Sequence, residues 1–156
     1  MTVGGRPSAG LSRSTEEPAR PRVPAASILL YGSLFLSAAW GAVVPFVAPM
    51  FGVRLDSATV ARIADHVGPG VVALAGGLIA VVAEARRARV LPSVLFLAAV
   101  AGIWMTGAHV PLIQQAARGQ ATWPAAAAHG IPGVLIACSA GILLWRALLA
   151  RDRDDT

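Results

Sequence analysis

Polar and apolar residues do not alternate along this chain; they segregate into blocks. After a polar opening stretch, MTVGGRPSAGLSRSTEEPARPRVPA, four apolar runs extend from about Ala26 to Phe51, Val67 to Ala85, Val90 to Ile113 and Ala125 to Ala150. Each is long enough to cross the roughly 30 Å hydrocarbon core of a bilayer as a helix. None has the apolar–polar alternation of a barrel wall. Inside lipid every backbone amide needs an internal partner, so runs of this length are helices. The pattern predicts an all-α integral membrane protein, with a bundle of four transmembrane helices over residues 26–150. Residues 1–25 have too few apolar side chains to offset the cost of ordering and read as a disordered cytoplasmic tail; residues 151–156 form a second short tail. The run after residue 25 is too long for a cleaved signal core and reads as an anchor. Asp56, Ser57 and the segment Thr59–Asp65 predict a short, capped amphipathic helix on the outer surface.

Composition narrows the class. The chain has 156 residues, enough for one domain, with 56% hydrophobic and only 13% charged residues. A soluble domain carries about 25% charged residues, so a water-soluble globule and a disordered chain are excluded. The net charge of +5 comes entirely from arginine, but these arginines punctuate apolar runs and form no nucleic-acid-binding patch. Ten of them (Arg6, Arg13, Arg20, Arg22; Arg86, Arg87, Arg89; Arg146, Arg151, Arg153) fall in the opening tail, the loop between runs two and three and the C-terminal end, against Arg54, Arg62 and Arg118 on the other side. The positive-inside rule then places both termini in the cytoplasm of a multi-pass protein of the inner (plasma) membrane. Trp40, Trp104, Trp123 and Trp145 lie towards run ends, as interfacial anchors do. The single Cys138 excludes a disulfide framework and any multi-cysteine zinc site, and its place in an apolar run reads as inert packing.

A motif occurs twice in the same order. Gly41-Ala42-Val43-Val44-Pro45 is matched by Gly107-Ala108-His109-Val110-Pro111, and His66-Val67-Gly68-Pro69-Gly70 by His129-Gly130-Ile131-Pro132-Gly133. Read as a duplication, GAxVP followed by HxxPG makes two parallel helical hairpins related by an axis along the membrane normal. Gly, Ala, Val and Pro are abundant enough here for chance to give the same pattern.

The three histidines of the chain are the candidate chemistry. His66 opens the second run, His129 opens the fourth and His109 nears the end of the third, so all belong to the outer half of the membrane. His66 shares a helical stripe with Gly70, Ala73, Gly77 and Ala80; His129 with Gly133, Ala137 and Gly141; His109 with Met105, Gly102, Ala101 and Ala98. Small-residue stripes are where membrane helices pack, so each ring is expected to face a neighbouring helix. Pro69 and Pro132 each lack a backbone donor and break or start the helix there, leaving free carbonyls beside a histidine. Imidazole ligates haem iron, copper or zinc and relays protons. Two histidines from different helices suit a b-type haem, and the Met105 thioether beside His109 suits a soft metal such as copper. The competing reading has all three rings at the aqueous interface, bonded to carbonyls and water. Glu84, on the face of His66, suggests a relay, but Arg86 and Arg87 beside it favour a solvated helix end.

Met50-Phe51-Gly52-Val53-Arg54-Leu55-Asp56, followed by Ala58-Thr59-Val60-Ala61, resembles the loop after the first helix of anthrone oxygenase-like four-helix membrane proteins. Val110-Pro111-Leu112 is similar to that family's Val-Pro-Leu-Asn, and Trp123 with His129 to its late Trp…Asn-His-x-Arg. The resemblance spans about residues 33–145 and implies four helices and, for its named oxygenases, aromatic polyketide substrates without an evident cofactor. Gln114 and Gln115 stand where Asn is expected, Ala128 replaces the Asn before His129, and Ile131 replaces the Arg. Three classes of function follow. The first is a binding or redox module with haem or a metal ion at the outer histidines. The second is an oxygenase-like enzyme on a lipophilic aromatic substrate. The third is a structural or accessory subunit that binds a membrane protein partner or a second copy of itself.

Overall fold

The computed structural model describes residues 24–47 and 63–154, together with Met1 and Met50. The opening tail and most of the expected outer-surface helix lie outside the described residues; Ile63–Asp65, the end of that expected helix, instead begin the second span. Helix α1 covers Ala25–Val47; a single wide π-helical turn, Ile63–Val67, leads directly into α2, Gly68–Ala85. Helices α3, Leu91–Ala108, and α4, Val110–Ala117, are two parts of one span, and α5 runs from Trp123 to Asp154. Four helical stretches are thus long and apolar enough to cross a membrane: Ala25–Val47, Ile63–Ala85, Leu91–Ala117 and Trp123–Arg153. There is no strand among the described residues.

The third and fourth spans are longer than their apolar runs. The third is interrupted at His109, because Pro111 has no N–H for the Gly107 carbonyl. The His109 N–H turns back to the Thr106 carbonyl at 3.1 Å, and the helix restarts as the Ile113 N–H reaches the His109 carbonyl at 3.2 Å. The fourth span continues through Arg146, Arg151 and Arg153 because long, polar, helix-favouring side chains do not stop a helix that has left the membrane.

The four spans form a ring. α1 packs on α2 and α5, and α3 packs on α2 and α5, while the diagonal pairs barely touch. Missing side chains allow the approach. A Cβ on Gly70 would lie 2.7 Å from the Ala42 Cβ, one on Gly102 would lie 2.5 Å from the Ala137 backbone nitrogen, and one on Gly133 would lie 2.6 Å from the Thr106 hydroxyl. Leu34, Ala38, Ala73, Ala80, Leu95, Ala98, Met105, Ile136 and Ala140 fill the centre. Leu29, Leu36, Leu78, Phe96, Ile103, Leu135 and Ile142 face outward, an apolar girdle of the kind that a lipid bilayer covers.

Two inferred faces shift. The small-residue stripes of α2 and α3 are buried as expected, but along α5 the inward line runs His129, Gly133, Ile136, Ala140, Leu143, leaving Ala137 and Gly141 half-exposed. Cys138 is exposed on the outer face rather than packed inside.

The turns after α2 and α4 close alike. In the first, the Ala88 N–H reaches the Ala83 carbonyl at 2.8 Å and the Arg87 N–H the Glu84 carbonyl at 3.1 Å; in the second, the Gln120 N–H reaches Gln115 at 2.8 Å and the Gly119 N–H reaches Ala116 at 3.0 Å. This paired pattern requires one left-handed residue just past the helix. Gly119 supplies it at φ +72°, whereas the equivalent residue of the first turn is Arg87, at φ +50°.

Candidate three-histidine site

One end of the ring gathers the start of α2, the α3–α4 break and the start of α5, and with them all three histidines. His66, His109 and His129 are 7%, 6% and 4% exposed, so the rings are buried rather than turned to water. Ring centroids are separated by 4.4 Å (His66–His109), 5.4 Å (His66–His129) and 5.6 Å (His109–His129). Sequence reasoning anticipated that these residues share one end and face inward; the structure brings all three into mutual contact.

Backbone carbonyls orient two of the rings in the same way. His109 Nδ1 lies 2.6 Å from the Met105 carbonyl and His129 Nδ1 lies 2.8 Å from the Ala125 carbonyl, each four residues back along its own helix. A carbonyl only accepts, so Nδ1 carries the proton in both neutral rings and each Nε2 presents a lone pair. His109 Nε2 lies 3.0 Å from His66 Nε2; with a lone pair on His109, the neutral His66 donates from Nε2 and its own Nδ1 is bare. This assignment follows from the partners. Its result is that the two buried ring atoms without a hydrogen bond, His66 Nδ1 and His129 Nε2, are both lone pairs lacking a donor.

The prolines complete the shell. Pro45 gives no N–H to the Gly41 carbonyl, and the Gly41 backbone lies beside the His66 ring without closing a hydrogen bond to it. Pro132 gives no N–H to the Ala128 carbonyl, and the Trp40 indole N–H fills that vacancy from α1 at 3.2 Å. The rule that a proline frees the carbonyl four residues earlier marks both places in the sequence; the tryptophan that answers one of them carries no such mark. Met105 is fully buried, and its sulfur and methyl lie over Gly41, each 2.8 Å from where a Cβ would stand.

The opposite end of the ring holds a second polar group, in which the sequence marks Glu84 but not its partner Tyr31. The Tyr31 hydroxyl donates to Glu84 at 2.7 Å, and the Arg146 guanidinium donates to the Ser27 hydroxyl at 3.1 Å. Glu84 therefore has a specific partner on α1, far from the histidines. Among the described residues no group of three or more His, Cys, Asp or Glu side chains is arranged, as it stands, to hold a metal ion. Compared with family models, with curated proteins and with solved structures, the chain matches none.

Proposed function

We propose that this integral membrane protein binds one transition-metal ion of the zinc or copper class through His66, His109 and His129. The observation that carries the reading is the convergence of three buried imidazoles, two of them held by backbone carbonyls so that Nε2 presents a lone pair, the one on His129 without any donor. Buried polar atoms of this kind normally have a partner, and an electrophile is what a lone pair accepts. Imidazole nitrogens suit zinc, copper and nickel. Tetrahedral ligands at 2.0–2.1 Å from a metal stand about 3.3 Å apart, close to the 3.0 Å between His66 Nε2 and His109 Nε2. Binding asks two changes of the site. The His66 proton moves from Nε2 to Nδ1, where the freed Gly41 carbonyl accepts it, and the His129 ring swings its Nε2 inward. Three imidazoles would leave a fourth position for water or a substrate, as zinc enzymes do.

Haem fits less well. A macrocycle between His66 and His129 would have to displace His109, whose ring packs against both. The oxygenase-like alternative rests on the resemblance alone.

Metal analysis of the purified protein tests the site. About one equivalent of zinc or copper per chain is expected, falling below a tenth in His66→Ala and His129→Ala while Met105→Leu retains it. Substoichiometric metal in all of them, or equal metal in the histidine variants, would overturn the reading. A Soret band at stoichiometric intensity would replace the ion with haem.

The reading extends to topology. Arg87, Arg89, Arg146, Arg151 and Arg153 line the end of the ring opposite the histidines, against Arg118 near the histidine end, so the positive-inside rule puts both termini in the cytoplasm and the histidine site at the outer face. Reporter fusions at Thr156 and near Gly119 are expected on opposite sides, Thr156 inside; the same side for both would sink the arrangement. The paired motifs are read as a duplicated hairpin, supported by Gly70 seating on α1 as Gly133 seats on α3. Their first glycines differ in surroundings: Gly41 meets Met105, and nothing lies within 4 Å of a Cβ on Gly107.

A further inference from the structure

The end of the ring away from the histidines opens into a cleft of about 810 Å³, bounded by the start of α1, the α2–α3 turn, the start of α3 and the end of α5. Five arginines line it, Arg87, Arg89, Arg146, Arg151 and Arg153, against a single carboxylate, Glu84, which already accepts the Tyr31 hydroxyl. The accessible apolar part of the wall includes Leu91, Pro92, Ala147 and Ala150. The first turn of α3 also borders the cleft, and its N-terminus has no side-chain cap, which adds the positive end of a helix dipole to the arginines.

Arg87 is the independent observation. It occupies the left-handed residue of a helix-ending turn, the position that Gly119 fills in the sister turn. A side chain there is strained and glycine is not. Strained residues persist where their surroundings over-determine them and cluster at ligand clamps, and this one lines the cleft.

We propose that the cleft holds the phosphate headgroup of an anionic phospholipid, bound by Arg87, Arg89 and Arg146, with an acyl chain along the apolar wall of Leu91, Pro92, Ala147 and Ala150. Guanidinium groups recognise phosphate through paired, charge-assisted hydrogen bonds, and basic pockets between transmembrane helices take anionic headgroups. The apolar wall distinguishes a lipid from a free anion, which would gain nothing from it.

The test uses the full-length protein, delipidated in neutral detergent and given phosphatidylglycerol, phosphatidylcholine or inorganic phosphate, with retained ligand read by native mass spectrometry and the melting temperature followed alongside. Phosphatidylglycerol should be retained and should raise the melting temperature, where the other two do neither. Arg87→Gly should fold at least as stably as the parent in neutral detergent yet bind phosphatidylglycerol about tenfold more weakly, the loss of one charge-assisted contact. Arg89→Gln, at an exposed position, should weaken binding similarly. Equal retention of phosphatidylcholine, equal stabilisation by inorganic phosphate, or unchanged phosphatidylglycerol binding in both variants would overturn the proposal.

Discussion

Trp40 shows how a single residue can repair a defect in a helix to which it does not belong. Pro132 deprives the Ala128 carbonyl of its partner, and in a bilayer no water replaces it; the indole N–H from α1 does so at 3.2 Å. Trp40→Phe should therefore cost about 1 kcal/mol in thermal or denaturant unfolding. The cost should vanish on a Pro132→Ala background, where the restored N–H can satisfy the carbonyl within its own helix. A double-mutant cycle with no coupling between these positions would show that the indole acts only through packing. The same reasoning separates what was legible at the histidines from what was not. Their shared end of the bundle follows from sequence position, because each lies at a run boundary on the same side. Their hydrogen bonds do not, because the tautomers depend on carbonyls whose orientation only the folded helices fix.

At the scale of elements, the four spans are legible because apolar length alone decides what crosses a membrane. Faces are harder to read. These helices are apolar nearly all round, so no polar stripe reveals which side meets lipid, and the inward line must be inferred from small residues. That inference succeeds where glycine meets backbone, as at Gly70, and drifts along α5, where Ile136 rather than Ala137 faces the core. Glycines of one helix can be told apart experimentally. Gly102→Ala would push a Cβ to within 2.5 Å of the Ala137 nitrogen, and a cost of about 1–3 kcal/mol is expected for such overpacking. Gly107→Ala meets nothing and should be neutral or stabilising by up to about 1 kcal/mol through helix propensity. Equal melting temperatures for the two variants would mean that the α3–α5 crossing is looser than the structure has it. The break at His109 and the π turn at His66 escaped sequence reading because a proline announces a disturbed helix without stating its form.

The molecule as a whole is polar at its two ends and apolar between them, with one end built from imidazoles and the other from guanidinium groups. The contact between His66 and His109 joins the first hairpin to the second across 43 residues of chain. This separation matters during biogenesis. At about 5–20 residues per second, the ribosome needs roughly 2–9 s after making His66 before its partner exists, and for that interval the first hairpin carries an unsatisfied imidazole in its lipid-facing seam. The nascent hairpin must ride shallow or be shielded by the insertion machinery, and a chain halted after Arg89 never leaves that state. In a pulse-chase experiment such a fragment should be cleared several times faster than the full-length protein, and co-expressing residues 90–156 should restore its lifetime. Equal survival of fragment and full chain would mean that the first hairpin matures without His109.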